Sequence, residues 1–125
     1  MTLELIDSHC HIDGIEFDDD RSAVLARARA AGVRQLVVVG TGPSLERIQR
    51  AISLAETDPD IFAVVGVHPH DAAHITPAWW TELASMAAHR KVVAVGETGL
   101  DYYYNHSPAP AQQAAFRQHV ALARG

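Results

Sequence analysis

Four short apolar runs recur along the chain, and each is followed by a longer stretch with helix-forming character. The runs cover residues 3–6, 36–40, 61–67 and 92–95, and the last three are uninterrupted and rich in valine. Uninterrupted apolar runs of this length are typical of strands buried on both faces of a sheet. Strands that alternate with helices are parallel and are joined by right-handed crossovers. The pattern therefore predicts an α/β fold made of four strand–helix units.

The helix-forming stretches are opened by Ser or Pro or closed by Gly, as helix ends usually are. They cover residues 23–31, 45–55, 77–86 and 108–123. On the last of them, Phe116, Val120 and Ala123 share one face. Neither a Gly/Ser linker nor a repeat divides the sequence, so residues 1–125 are predicted to be one domain. A complete (β/α)₈ barrel needs about 250 residues, and this chain has half that length.

The composition is that of an ordinary globular domain without a basic surface. Hydrophobic residues make up 48% of the chain and charged residues 20%, and the formal net charge is −5. These values exclude a disordered tail and a general positive footprint for duplex nucleic acid or anionic lipid. The single cysteine fits a reducing compartment, and the sequence has neither signal-peptide features nor an apolar run of membrane-spanning length. We therefore predict a cytoplasmic protein with no membrane partner.

Two histidines stand where the first strand ends. Side chains at positions i and i+2 of a strand share a face, so His9 and His11 point the same way and Cys10 points to the opposite face. Imidazole is the commonest protein ligand for a divalent metal. The spacing nominates the two histidines as metal ligands and argues against the thiol as a third. Because such a pair also occurs as incidental polar residues at a strand edge, the spacing alone does not establish that the two histidines bind a metal.

Glu97 follows the fourth strand, at the same predicted rim as the histidine pair. Active sites of parallel α/β folds lie at the carboxyl ends of the strands. Two imidazoles and a carboxylate form a mixed ligand set that suits zinc, manganese or magnesium, and one carboxylate can bridge two ions. The competing interpretation is that Glu97 caps a tight turn between Gly96 and Gly99.

Four other histidines lie away from the predicted strand ends. They are His74, His89, His106 and His119. We interpret them as imidazoles that face solvent rather than as additional ligands.

Three motifs together resemble those of TatD-family metal-dependent hydrolases. They are the sequences DSHCHID at residues 7–13, GVHPH at 66–70 and GETGLDY at 96–102, in the family's order and at its spacing. The resemblance implies a TIM-type barrel that uses divalent metals to hydrolyse phosphodiesters, generally those of DNA. It also implies that His9 and His11 ligate a first ion, and that Glu97 is the catalytic carboxylate that bridges two ions of Mg, Mn or Zn.

The resemblance extends only to the N-terminal half of the family's barrel. Family members continue through strands five to eight, which supply two further histidine ligands and a metal-bound aspartate. The resemblance therefore implies that these 125 residues are inactive alone. For substrate binding, we expect His68 to contact the substrate at the rim and Tyr102, from the tyrosine run, to stack on a base or sugar.

Two other functions stay open from the sequence. Amidohydrolases that cleave amides or deaminate bases share the histidine pair, but many bridge their metals with a carboxylated lysine at the end of strand four. Here Lys91, the only lysine, precedes that strand, which favours the carboxylate-bridged class. The third hypothesis is a half-barrel without enzymatic activity, in which strands one and four are unpaired edges that invite self-association.

Overall fold

The computed structural model describes residues 3–125, and within them strands and helices alternate throughout. The elements are β1 (Leu5–Cys10), α1 (Arg21–Ala30), β2 (Val33–Gly40), α2 (Leu45–Glu56), β3 (Ile61–Val65), α3 (Pro77–Ala87), β4 (Val92–Val95) and α4 (Ala109–Arg124). Two short 3₁₀ helices, Ile15–Phe17 and Pro69–His74, follow β1 and β3. The predicted order of four strand–helix units is confirmed, although the 3₁₀ helices were not predicted.

The four strands form one parallel sheet in the order β1-β2-β3-β4. Because each strand pairs with the next one along the chain, right-handed crossovers place the connecting helices on the same face of the sheet. All four strands end at the same rim. The strands β1 and β4 are the two edges of the sheet, as predicted.

The helix α2 is the centre of the hydrophobic core. Ser44 caps its first turn, since the Ser44 hydroxyl accepts a hydrogen bond from the backbone N–H of Arg47 at 3.2 Å. The buried face of α2 packs against the helix-facing side chains of β2 and β3. The core residues of these three elements are Leu36, Val38, Ile48, Ala51, Ile52, Ala55, Ile61, Ala63 and Val65. This packing holds the middle of the sheet rigid beneath the rim.

The opposite face of the sheet is only partly covered by the residues that the structure describes. Phe62 and Val64 are half-buried there, while Ile6 and Val93, on the edge strands, are 63% and 55% exposed. For β2, the prediction of burial on both faces holds on the helix side, and on this side Val39 is 4% exposed and Val37 is half-buried. None of the described helices combines the length and apolar character that a bilayer span requires.

The face through which α4 packs differs from the apolar face that the sequence pattern indicates. Phe116 and Val120 are 38% and 43% exposed. The buried residues of α4 are instead Gln112, Ala115 and His119. The helix thus turns two polar side chains inward, and both find hydrogen-bond partners there.

His119 is 1% exposed, so the prediction that it faces solvent is wrong. Its Nε2 accepts a hydrogen bond from the backbone N–H of Val67 at 3.0 Å, and its Nδ1–H donates to the carbonyl of Ala115 at 2.8 Å. The edge of the ring meets Trp80, with the centroids 5.0 Å apart. Because both nitrogens are paired, the neutral ring is buried at little cost.

We expect the His119→Gln substitution to reduce the acid sensitivity of the fold. Burial lowers the pKa of His119 below its ordinary value of 6.5, so the unfolded chain binds more protons than the folded chain just below that pH. The contribution of the neutral His119 ring to the free energy of unfolding is complete above pH 6.5. It is lost as the pH falls toward the pKa of the folded state, by up to about 1.4 kcal/mol per pH unit. Urea unfolding across this window measures the slope.

The matched control for this measurement is His74→Gln, because His74 is exposed. The slope of the His119→Gln variant should be shallower than that of the wild type, whereas His74→Gln should retain the wild-type slope. Equal slopes for all three proteins would contradict the assignment of acid sensitivity to His119.

Candidate metal centre

The side chains of His9, His11 and Glu97 converge at the rim where the strands end. One ligand atom from each residue lies within 4.8 Å of the other two, and Nε2 of His9 is 3.8 Å from Oε2 of Glu97. In a flat sheet, the ends of β1 and β4 would be about 14 Å apart, since adjacent strands are spaced by about 4.8 Å. The sheet is therefore curled so that residues following its two edge strands meet, as in half of a barrel.

The orientation of the His11 ring is fixed by the backbone of the neighbouring strand. Its Nδ1 lies 3.1 Å from the carbonyl oxygen of Val39, at the end of β2. Because a carbonyl oxygen only accepts, Nδ1 carries the proton and Nε2 keeps its lone pair. This backbone contact is the usual way in which a ligating histidine is oriented toward a metal. In the neutral ring, Nε2 of His11 is therefore the nitrogen available to bind a metal.

Cys10 lies on the other side of the strand, as the alternation of side chains predicts. Its half-buried thiol contacts the hydrophobic core, and its Sγ lies 3.5 Å from the carbonyl oxygen of Val37. Burial raises the pKa of Cys10 to about 11. Because its side chain packs against the core on the side away from the rim, Cys10 is excluded from the centre by its position.

The close approach of two glycines brings the residues after β3 and β4 together. A Cβ atom on Gly66 would lie 2.4 Å from the carbonyl oxygen of Gly96, so only glycine fits there. Two residues beyond Gly66 stands His68, and Glu97 directly follows Gly96. The Nε2 atom of His68 is 3.8 Å from Oε1 of Glu97. Each carboxylate oxygen of Glu97 thus faces a different histidine.

His68 presents a hydrogen-bond donor, rather than a nitrogen lone pair, toward Glu97. The backbone N–H of His70 donates to its Nδ1 at 3.1 Å, so in the neutral ring the proton sits on Nε2, the atom that faces Glu97. The backbone N–H of His68 donates in turn to Thr41 Oγ1 at 3.0 Å. His11 therefore presents a nitrogen lone pair to the site, whereas His68 presents an N–H group.

A cluster of arginines, which sequence reasoning missed, holds the loop that follows the histidine pair. The backbone carbonyl of Asp13 accepts from Arg50 Nε at 3.0 Å and from Arg47 at 3.3 Å. Arg21 Nε donates to the carbonyl of Ile12 at 2.7 Å. The buried carboxylate of Asp13 pairs with Arg47 at 2.9 Å, and its own burial raises its pKa against the opposing effect of that arginine. In the sequence, this cluster is indicated by the spacing of Arg47 and Arg50, which places both side chains on one face of α2.

The third motif forms a cleft next to Glu97. Asp101 Oδ1 accepts from the backbone N–H groups of Tyr103 and Tyr104 at 3.1 and 3.2 Å. Tyr104 lines the cleft, whereas Tyr102 is not among its lining residues. Tyr102 is 52% exposed, and its hydroxyl accepts from Gln113 at 3.0 Å. The substrate contact expected of Tyr102 stays a prediction.

Lys91 lies at the opposite, N-terminal end of the sheet, as predicted. Its Nζ donates to the carbonyls of Asp58, Pro59 and Ile61 at 2.7, 2.9 and 2.9 Å. With all three N–H groups engaged, Lys91 is a structural residue and is far from the rim where the histidine pair lies.

The donor set of the rim fits a divalent metal. Two imidazole nitrogens and a carboxylate match the ligands of zinc and manganese sites. Ligands about 2.0–2.2 Å from one ion lie up to about 4.4 Å apart, so the present spacing of up to 4.8 Å closes with small side-chain movements. Within residues 3–125, no other three histidine, cysteine or carboxylate side chains come together closely enough to hold a metal.

Comparison with known proteins gives a consistent result. A family model described as TatD related DNase matches residues 6–125. The uncharacterized metal-dependent hydrolase YabD of Bacillus subtilis is 39% identical over 120 residues, which are 96% of this chain and 46% of YabD. The 3'-5' ssDNA/RNA exonuclease TatD of Musicola paradisiaca is 37% identical over 120 residues, or 95% of this chain and 45% of that enzyme.

A solved structure is similar over nearly the whole chain. The crystal structure of YjjV, a TatD homologue from Escherichia coli K12, matches with a TM-score of 0.86 and 34% identity, over 98% of this chain and 48% of that one. The predicted fold, half of a TIM-type barrel, is confirmed. The chain spans about half the length of the curated relatives it matches.

Proposed function

Because this chain belongs to the TatD-related DNase family, we propose that it forms the N-terminal half of a metal-dependent phosphodiesterase. The observation that carries the proposal is the convergence of His9, His11 and Glu97 at the rim of the sheet. The substrate we propose is a DNA strand or another phosphodiester such as RNA, by analogy with the relative named an ssDNA/RNA exonuclease. We propose residues 1–125 as one structural unit and the cytoplasm as its location.

We propose that His9 and His11 would hold one divalent ion and that Glu97 would be the carboxylate shared between that ion and a second. Such ions supply Lewis acidity, which polarises a phosphoryl oxygen and makes water a better nucleophile at neutral pH. Backbone contacts in this chain orient the proposed ligands. The carbonyl of Val39 fixes the His11 ring, and the close contact between Gly66 and Gly96 supports the position of Glu97.

His68 is the proposed substrate contact at the rim. Its Nε2–H faces the cleft beside Glu97, where it is suited to donate a hydrogen bond to a phosphate oxygen. The alternative amidohydrolase chemistry is less well supported, because Lys91 is engaged by three carbonyls at the other end of the sheet. The exposed apolar side chains of the edge strands, Ile6 and Val93, support a further proposal, that the isolated chain self-associates.

A chimera tests the proposed function directly. Residues 1–125 would replace the aligned half of the Musicola paradisiaca TatD exonuclease, and nucleotide release from single-stranded DNA would be measured with Mn²⁺ or Mg²⁺. We expect metal-dependent hydrolysis that falls by at least about 100-fold in the Glu97→Gln chimera, because a ligand is lost. Glu82→Gln, an exposed position on α3, is the matched control.

The 125-residue chain assayed alone should hydrolyse the same strand only at background, because the rim described here offers three protein ligands for two ions. Sedimentation of that sample tests self-association, and a clean monomer would contradict it. A folded chimera without activity, or one whose activity is unchanged by Glu97→Gln, would overturn the proposed function.

A further inference from the structure

Beside the proposed ligands lies a group of three rings, His70, Tyr104 and His106, which we term the aromatic wall. The ring centroid of His70 is 5.7 Å from that of Tyr104 and 4.6 Å from that of His106, and both contacts are edge-on. The rings of Tyr104 and His106 are parallel within 4°, with centroids 5.8 Å apart. One ring from the 3₁₀ helix Pro69–His74 and two from the loop after β4 thus form one cluster of aromatic side chains.

One carboxylate, that of Asp101, contacts two of the three residues of the aromatic wall. Nε2 of His70 lies 3.0 Å from Oδ2 of Asp101, while Oδ1 of Asp101 accepts from the backbone N–H of Tyr104 at 3.2 Å. The backbone N–H of Asp101 donates to the buried side chain of Gln112 on α4 at 2.6 Å. His70 and the backbone of Tyr104 are therefore tied to one anchored residue before any ligand arrives, which lowers the entropic cost of binding.

The wall opens onto the cleft that contains Glu97. This cleft has a volume of about 350 Å³ and is lined by His68, His70, Glu97, Asp101 and Tyr104 among others. Tyr104 is 65% exposed, so a face of its ring is free to contact a ligand. Within the described chain, the lining residues include two carboxylates but neither lysine nor arginine. A flat, uncharged group fits this wall better than a phosphate does.

We propose that the aromatic wall stacks on an unpaired nucleobase of the nucleotide next to the bond that is cleaved at the metal centre. The inference rests on the proposed function and specifies its substrate as a strand whose bases are unstacked and accessible. Base–aromatic stacking tolerates any sequence because every base has a π-face. In a duplex both faces of each base are covered by neighbouring pairs, so the wall selects single strands.

The test replaces one ring of the wall. Stacking on an aromatic side chain is worth enough that Tyr104→Ala should weaken binding of a single strand by about 5- to 150-fold. Tyr104→Phe keeps the ring and should bind like the wild type. Tyr103→Ala is the matched control: the Tyr103 ring meets that of Tyr104 edge-on, with centroids 4.8 Å apart, but Tyr103 is 84% exposed and does not line the cleft. Circular dichroism verifies that each variant is folded.

The probes are fluorescein-labelled eight-nucleotide strands of DNA and of RNA, and a DNA strand of equal length with abasic sites, each titrated by anisotropy with Mn²⁺. Tighter binding of a base-containing strand than of the abasic strand, with the loss confined to Tyr104→Ala, supports the proposal. Equal binding of the two kinds of strand, equal effects of the Tyr103 and Tyr104 changes, or no binding by the wild type overturns it.

Metal titration of the same proteins separates this inference from the proposed function. If Tyr104→Ala retains metal binding but no longer binds the base-containing strand more tightly than the abasic strand, the proposed function and the role of the aromatic wall are both supported. If the wild type binds the bases through Tyr104 but binds no metal, the proposed function fails and the aromatic wall stands. If metal binds and Tyr104→Ala behaves as Tyr103→Ala does, the aromatic wall alone is overturned.

Discussion

Replacing His9 and His11 together by alanine is expected to abolish divalent-metal binding by this chain. The double variant leaves Glu97 as the remaining member of the cluster of three potential ligands. Changes outside the ligand set typically cost 10–100-fold in metal affinity. Loss of two direct ligands should therefore weaken binding by at least about 100-fold. Calorimetric titration with Mn²⁺ and Zn²⁺ measures the affinity.

Cys10→Ala is the matched control, since Cys10 lies between the two histidines but faces the core. Cys10→Ala should bind metal as the wild type does. Glu97→Gln should bind metal more weakly than both the wild type and Cys10→Ala. Equal affinity of the wild type and the double histidine variant would remove the metal centre altogether, while a loss in Cys10→Ala would mean that the strand register is wrong.

The second large effect is expected on stability, from Asp13→Ala. The carboxylate of Asp13 is 1% exposed and pairs with Arg47 at 2.9 Å. Breaking a buried pair usually costs about 3–5 kcal/mol, because the partner charge stays behind without compensation. Arg47 is 29% exposed and keeps its contact with the Asp13 carbonyl. We therefore expect a loss of about 2–4 kcal/mol in the free energy of unfolding, measured by urea denaturation.

Asp19→Ala is the control for this change, because Asp19 is an exposed aspartate in the same loop. It should shift the free energy of unfolding by no more than about 0.5 kcal/mol. Asp13→Asn keeps an oxygen for Arg47 and should fall between the two variants. If Asp13→Ala unfolds at the same urea concentration as Asp19→Ala, the arginine cluster does not hold the loop.

The proposed ligands were accessible to sequence reasoning because two local rules place them. Strand alternation puts His9 and His11 on one face, and the parallel sheet brings strand ends to one rim, which Glu97 shares. The cluster in the structure has these three members. The boundaries of β2 and β3 were less accurate, since an apolar run does not reveal which residues pair.

The features that sequence reasoning missed depend on partners far away in the chain. His119 is buried because it accepts a hydrogen bond from a backbone N–H 52 positions earlier. Every residue except proline has such an N–H, so the sequence does not show which one will lie next to His119. Arg50 contacts the carbonyl of Asp13 across 37 positions, again through the backbone. Side-chain patterns report which face is apolar, but they do not report a polar side chain that is buried against a distant peptide group.

The order of strands in the sheet has a consequence for how the chain folds. Each strand pairs with its successor across a whole helix, so paired residues such as Leu36 and Ile61 lie 25 positions apart. Parallel pairing of this kind is non-local and slow, and each strand can be added only after the helix before it has formed. His9 belongs to the first unit and Glu97 to the last. The proposed metal centre is therefore complete only when the fourth strand has docked, so a bound ion would stabilise the finished, curled sheet rather than start its formation.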